Sequence, residues 1–422
     1  MHALPVTYSP GMMKLPLLLT ALLLLPCPGR TSEALSFDGY YKNFSVAYCL
    51  PGYKNPAYSS NVPLLGSVSN RLRLNSRWRL SNRVQVKVSY DLAPRVQDRL
   101  LFDEPPVAAA IDPLSYRVVD LDARLYPSLN DEVASFAVLQ NLDRAFITIR
   151  TNRADLYFGR QAIAFGPARV VNPTDIIAPY SYETLDTEDR VGVDAVRVRM
   201  PLGFMGEIDA AWVGGDKFES DRSAAFLRTK FYAFRTDIAL LLLGFRENLL
   251  LGVEAARSLG GAGVWFEAAH VFVDALADET TPQRDYFRGS LGGDYSFGGN
   301  IYVFAEYHFS QAGRDRPGEY LADSTHAAYA EGSVYLLGRH YLASGMTRQL
   351  TPLISSGVEL LCNLRDRSAY VVPSVEYNVA ENIYLAGGAY IGIGRRPESV
   401  LRMRSEFGSY PDVYFSSFRI YF

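Results

Sequence analysis

Arginines at every second position carry the clearest chemical potential in this chain. Arg71, Arg73, Arg77 and Arg79 are followed by Arg83 and Lys87, and further on by Arg144, Arg150, Arg197 and Arg199. A guanidinium is a permanent cation whose forked donors match carboxylate and phosphate oxygens. Between two of these groups lies the stretch 166–190, where Asp175, Glu183, Asp186, Glu188 and Asp189 outnumber Arg169 and Arg190 by five acids to two arginines. Opposed charges of this kind orient and select polar solutes through their field and break no bonds. Bond-breaking chemistry has less support. His270, His308, His326 and His340 sit in no nucleophile motif, although His308 shares a strand face with Glu306. Cys27, Cys49 and Cys362 have no metal-ligand spacing, and neither a phosphate loop nor a dinucleotide fingerprint occurs. No enzyme, cofactor or metal is expected. With 42 Lys and Arg against 45 Asp and Glu, the chain lacks the basic surplus of a nucleic-acid binder.

The elements that must position these charges read as strands. Arg71, Arg73, Arg77 and Arg79 alternate with Leu72, Leu74, Trp78 and Leu80; after Ser81-Asn82, the residues Val84, Val86, Val88, Tyr90 and Leu92 alternate with Arg83, Gln85, Lys87, Ser89 and Asp91. Period two, with one charged and one apolar face, predicts a hairpin between water and something apolar. If Ala145, Ile147 and Ile149 face the apolar side, Arg144 and Arg150 face the water. The same alternation recurs at Val196–Met200, Ile208–Trp212, Ile301–Phe309 and Val358–Cys362.

The connections sort by parity. Short ones such as Ser81-Asn82, Asn152-Arg153, Gly298-Gly299 and Ala380-Glu381 alternate with longer ones, among them 51–63, 93–141, 166–190, 274–285, 311–338 and 395–409; Glu247-Asn248 and the stretch near Asp366 are short exceptions. A membrane barrel requires such sorting, with short turns on one side and longer loops on the other. Tyr116–Leu125 offers an extra strand, and Pro373 removes one ladder bond from a late strand.

The two ends add independent signals. Met12-Met13-Lys14, the apolar run Leu15–Leu25 and Ser32-Glu33-Ala34 have the layout of a secretory signal peptide, too short to span a bilayer, which takes roughly 20 residues. At the other end Tyr414, Ser416, Phe418, Ile420 and Phe422 share one face. This resembles the terminal strand of Gram-negative outer-membrane proteins, which implies recognition of the Phe422 strand by the barrel assembly machinery. The acidic 166–190 loop resembles the third external loop of general porins, which bends into the lumen. Asp155-Leu-Tyr-Phe-Gly159-Arg160-Gln161, Gly166 and Asn172-Pro173-Thr174-Asp175 resemble the Gly-Arg-Gln strand and Asn-Pro loop of alginate-export-type barrels, a likeness over a short part of the chain. It implies passage of a polar or anionic solute, with Arg160, Arg169 and Arg190 at the constriction.

The expected architecture is therefore all-β: a signal peptide at 1–34, then one transmembrane up-and-down antiparallel β-barrel over 35–422, of about 18 strands, in lipid of the bacterial outer membrane. The expected function is a passive channel for small polar or anionic solutes. Its lumen has a basic wall (Arg71, Arg73, Arg77, Arg79, Arg83, Lys87, Arg144, Arg150, Arg197, Arg199) facing the 166–190 loop. Two alternatives stand beside it: a sleeve around a partner such as a periplasmic cytochrome, and an outer-membrane hydrolase. Porins also form homo-oligomers, but this sequence carries no signal for one.

Overall fold

The computed structural model describes residues 34–51, 64–103, 116–180, 182, 185–278, 283–322, 326–330, 334–399 and 402–422. The signal-peptide expectation falls almost wholly outside the described residues, and so does Glu183.

Nineteen strands form one antiparallel sheet. The first nine are β1 (Leu35–Cys49), β2 (Leu64–Arg79), β3 (Val84–Gln97), β4 (Arg124–Tyr126), β5 (Phe136–Arg150), β6 (Asp155–Gln161), β7 (Val193–Leu202), β8 (Gly206–Val213) and β9 (Ala224–Ala233). Then come β10 (Thr236–Phe245), β11 (Asn248–Leu259), β12 (Ala262–Phe272), β13 (Tyr286–Phe297) and β14 (Ile301–Ser310). The last are β15 (His340–Thr351), β16 (Ile354–Asn363), β17 (Ser368–Ala380), β18 (Ile383–Ile393) and β19 (Asp412–Tyr421). Apart from β4, each strand pairs with its neighbour in the ring, and β19 returns to β1, with Tyr40 opposite Tyr421 and Phe44 opposite Ser417. Gly39 and Phe422 exchange backbone hydrogen bonds of 2.8 and 3.0 Å, so the C-terminal residue completes the seam. β4 lies outside the ring: it touches only the outer end of β5, while β3 pairs with β5 directly. Eighteen strands thus close the barrel. The Tyr116–Leu125 stretch adds no stave, and Pro373 coincides with a gap at 372–373 in the β17–β18 ladder.

Closure has a physical cause. Leu74, Val196, Leu240, Leu291, Tyr307, Leu342, Val375 and Leu385 are all exposed on the outside of the ring. A belt of this kind belongs in hydrocarbon, where only a ring with no free edge satisfies every backbone group. Eight turns of two to four residues join the strands on one side; the other side carries the long loops, with 246–247 and 364–367 as its short members. One tight turn is made by Phe234 and Arg235, both at positive φ (53° and 59°), the primed geometry that matches hairpin twist. The third long loop, 162–192, runs inside the barrel, and the main buried cluster lies there, between it and the inner wall.

Candidate functional site

Three kinds of contact hold loop 162–192. The first is apolar. Ile163, Phe165, Ile176 and Ile177 are buried against inward residues of β7 to β13, including Ala195, Val213, Phe226, Leu241, Leu243 and Val271. The Phe165 and Phe226 rings meet edge to face at 4.9 Å. Burying each large side chain contributes about 1.5–3 kcal/mol.

The second is a pair of carboxylate clamps. Glu267 on β12 accepts from the Ala168 amide (3.1 Å), the Thr174 amide (2.8 Å) and hydroxyl (2.7 Å), and Asn172 Nδ2 (3.2 Å). Glu306 on β14 accepts from the consecutive amides of Arg169 (2.7 Å), Val170 (3.2 Å) and Val171 (3.0 Å), and from Trp265 Nε1 (2.9 Å). Successive N–H groups around one anion make a backbone nest. Gly166 has φ +85°, and a Cβ there would strike the Glu267 carboxylate, so glycine is required. This gives the Asn172-Pro173-Thr174-Asp175 motif its local meaning: Asn172 and Thr174 grip the clamp, and Asp175 pairs with Arg190 across the loop. Burial pushes the Asp175 carboxyl up to about 7 against the Arg190 charge. Arg169 pairs with Asp294 and lies over the Trp265 and Tyr302 rings at 5.2 and 5.6 Å.

The third is an ionic latch on the far side. Asp186 meets Lys42 at 2.9 Å and Arg71 at 3.2 Å; Glu188 meets Lys42 at 2.7 Å; Asp189 meets Arg73 at 3.5 Å. Tyr40 donates to Asp189 (2.6 Å), and Tyr421 donates to Glu188 (2.7 Å). Burial acts to raise the Asp186 carboxyl, but the Lys42 hydrogen bond and the Lys42 and Arg71 charges hold it below the ordinary carboxylate range. β2 and β12 stand nine strands apart in the ring, so the clamps and the latch tie the loop to opposite sides of the lumen.

The arginines of the alternating strands face the lumen, but their charge is unevenly opposed. Arg73 lies between Asp91 (3.3 Å) and Asp143 (2.6 Å), and Arg71 also reaches Asp91 (2.8 Å). Arg144 meets Asp143 (2.7 Å) and donates to the Arg190 carbonyl (2.5 Å). Arg197 pairs with Asp209 (2.5 Å) and Arg199 with Glu207 (2.6 Å). Arg77 has only a loose contact with Asp38 at 3.8 Å. Among the described residues no acid pairs with Arg79, Arg83, Lys87 or Arg150. The wall is therefore not uniformly basic: its unopposed charge gathers toward the short-turn end. Arg160 stands apart. It bonds Asp194 (2.8 Å), Asp120 (2.7 Å) and the carbonyls of Val119 and Leu142, clasping loop 98–135 to the strand ends, and among the described residues it meets none of the 166–190 acids.

Solved structures share this architecture. OccD3 (OpdP) of Pseudomonas aeruginosa is 10% identical, with a TM-score of 0.51 over 92% of this chain and 91% of its own. OccAB2 of Acinetobacter baumannii is 7% identical, with a TM-score of 0.54 over 92% and 98%. A BenF-like porin from Pseudomonas fluorescens Pf-5 is 9% identical, with a TM-score of 0.51 over 92% and 98%. The fold is that of the outer-membrane porins. No protein-family model matches the sequence, and no curated protein does. A closed antiparallel barrel of this fold, with an apolar outer belt, belongs in the bacterial outer membrane.

Among the described residues, the buried serine–histidine contact supports loop 162–192. Ser290 Oγ donates to the Val171 carbonyl at 2.7 Å, so its contact of 2.9 Å with His308 Nδ1 makes the ring the donor. A histidine protonated on that nitrogen cannot take the serine proton; the pair instead supports the loop beside Glu306. Cys49 and Cys362 are free thiols.

Sequence reading missed Lys42, Tyr40, Asp143 and Glu267, and it placed Glu306 on the strand face of His308 without its role as a clamp. Asp143 carried a signal: Leu142 and Ala145 are both apolar, and keeping both outward needs an extra residue between them. The β3–β5 ladder has that bulge, with Ser89 opposite Arg144 and Tyr90 opposite Leu142.

Proposed function

We propose that the chain is a passive outer-membrane channel for small polar or anionic solutes, narrowed by loop 162–192. The observation that carries this reading is the double anchorage of that loop: clamped by Glu267 and Glu306 on one side, latched to Lys42, Arg71 and Arg73 on the other. A segment held at both ends sets a fixed aperture. A solute crossing there passes between the paired charges, whose alternation favours polar molecules over apolar ones. Anion preference comes from Arg77, Arg79, Arg83, Lys87 and Arg150, wall cations with no acid closer than 3.8 Å among the described residues. No energy source or cofactor enters the mechanism. Delivery to the membrane through recognition of β19 and Phe422 by the barrel assembly machinery belongs to the same proposal.

The same loop weighs against a sleeve around a cytochrome, because a lumen crossed by the chain's own backbone leaves little room for a folded partner. The test is planar-bilayer recording of the refolded chain in a salt gradient. Discrete steps with a reversal potential on the anion side support the reading. A barrel that keeps its folded gel mobility and passes no current defeats it.

A further inference from the structure

Arg79, Arg83 and Arg150 line one pocket of about 310 Å³ beside the β2–β3 turn, with Ser81, Asn82, Val84 and Gln85 completing its wall. Arg71, Arg73, Arg144 and Arg190, near the loop, have carboxylate partners. Arg79, Arg83 and Arg150 have none among the described residues; Arg83 has one long contact to Asn152 Oδ1 (3.5 Å), and Asp155, opposite Arg150 in the ladder, forms no ion pair with it. Nor do backbone amides compete for the space: those of Arg83 and Val84 already donate to Ser81 Oγ at 3.2 and 3.1 Å. Three arginines lining one pocket repel each other unless an anion sits among them. Forked donors arriving from three strand ends suit a compact oxyanion with several acceptor oxygens better than a single-point anion such as chloride.

We propose that this pocket is a phosphate-group site at the periplasmic rim, separate from the crossing of the lumen by loop 162–192. The phosphate arrives on a phosphorylated solute leaving the channel, or on the headgroup of an acidic phospholipid in the adjoining leaflet. The first source rests on the channel reading; the second does not.

The test uses the full refolded chain and inorganic phosphate as probe, followed by isothermal titration calorimetry in zwitterionic micelles. Saturable binding is expected, weakened by roughly tenfold for each arginine lost in R79Q, R83Q and R150Q, since a hydrogen bond to a charged group contributes about that much. The variant R79K/R83K/R150K keeps the charge without the fork and is expected to bind with intermediate strength. Repeating the titration in nanodiscs separates the sources. Phosphatidylglycerol that suppresses phosphate binding, and that is retained by the wild type but not by R79Q/R83Q/R150Q in native mass spectrometry, identifies the lipid. Binding indifferent to phosphatidylglycerol identifies the solute. The proposal is overturned if the folded wild type neither binds phosphate nor retains phosphatidylglycerol, or if the triple glutamine variant behaves like the wild type. Conductance in chloride, which needs no phosphate, decides the channel reading independently.

Discussion

Replacing Glu267 by alanine tests whether the loop sets the aperture. Its carboxylate accepts four hydrogen bonds from the loop: two amides, one hydroxyl and one side-chain amide. Bonds to a charged acceptor contribute about 1.5–3 kcal/mol each, but deletion also removes the cost of burying the carboxylate, so the net loss is about 2–4 kcal/mol. At the middle of that range the released state of the loop becomes about a hundredfold more populated. Glu306 and the apolar docking remain, so the barrel still folds. E267A channels are expected to show larger conductance with more open-state noise, and unchanged strand content by circular dichroism. E267Q is expected to fall between E267A and the wild type. It keeps one acceptor oxygen for Thr174 but turns an NH₂ toward the Ala168 amide and Asn172, setting donor against donor. Wild-type conductance and noise in E267A, from correctly folded protein, would refute the idea that the clamped loop limits the current.

Other outcomes follow from the charges. Neutralising Arg77, Arg79, Arg83 and Arg150 together is expected to move the reversal potential toward cation preference; an unchanged potential would remove them from the ion path. For Asp186 the folded carboxyl titrates below its unfolded value, so the latch's contribution is complete above about pH 4 and is lost as pH falls through the lowered value. Current noise should therefore rise only in strong acid, and D186N should show that noise at neutral pH. Glu406, in the external loop 394–411, has the opposite sign. It is buried and accepts from the Leu337 amide (2.8 Å), Tyr341 (2.5 Å) and Asn363 (2.7 Å), and burial pushes its carboxyl up to about 7. The Glu406 contribution to stability should thus be full below about pH 4.5 and be lost, by roughly 3 kcal/mol, as pH rises through 7. Urea unfolding of the wild type and E406Q at pH 5 and 8 checks this: the variant should show a smaller difference between the two.

What was legible in the sequence is what a ladder encodes locally. Side-chain direction in a strand reverses at every residue, so Arg71, Arg73, Arg77 and Arg79 could be put on one face from their own neighbours alone. Loop parity works the same way, because strand ends alternate between two sides of a membrane. The reading failed where the period slips, as at the Asp143 bulge, or where the contrast between faces fades. β1 turns Tyr41, Asn43 and Ser45 to the outside, and Asn43 bonds Asn70 there at 2.8 Å, so nothing in the polarity pattern marked Lys42 as inward.

The charge partners pose a different difficulty. Lys42 and Asp186 are separated by 144 residues, and the Thr174 amide and Glu267 by 93. Around a closed ring, the partner of an inward charge depends on its angular position, which comes from counting strands across the whole chain. A count wrong by one hairpin rotates every later residue along the wall. The acids of loop 162–192 could be read as acids, and the arginines as a wall, without knowing that Asp91 and Asp143 lie among those arginines. The ionic latch is complete only once β19 closes on β1 and brings Tyr421 and Lys42 together at Glu188 and Asp186. The site is thus a consequence of closure, which explains why local motifs led to the loop but not to the residues that hold it.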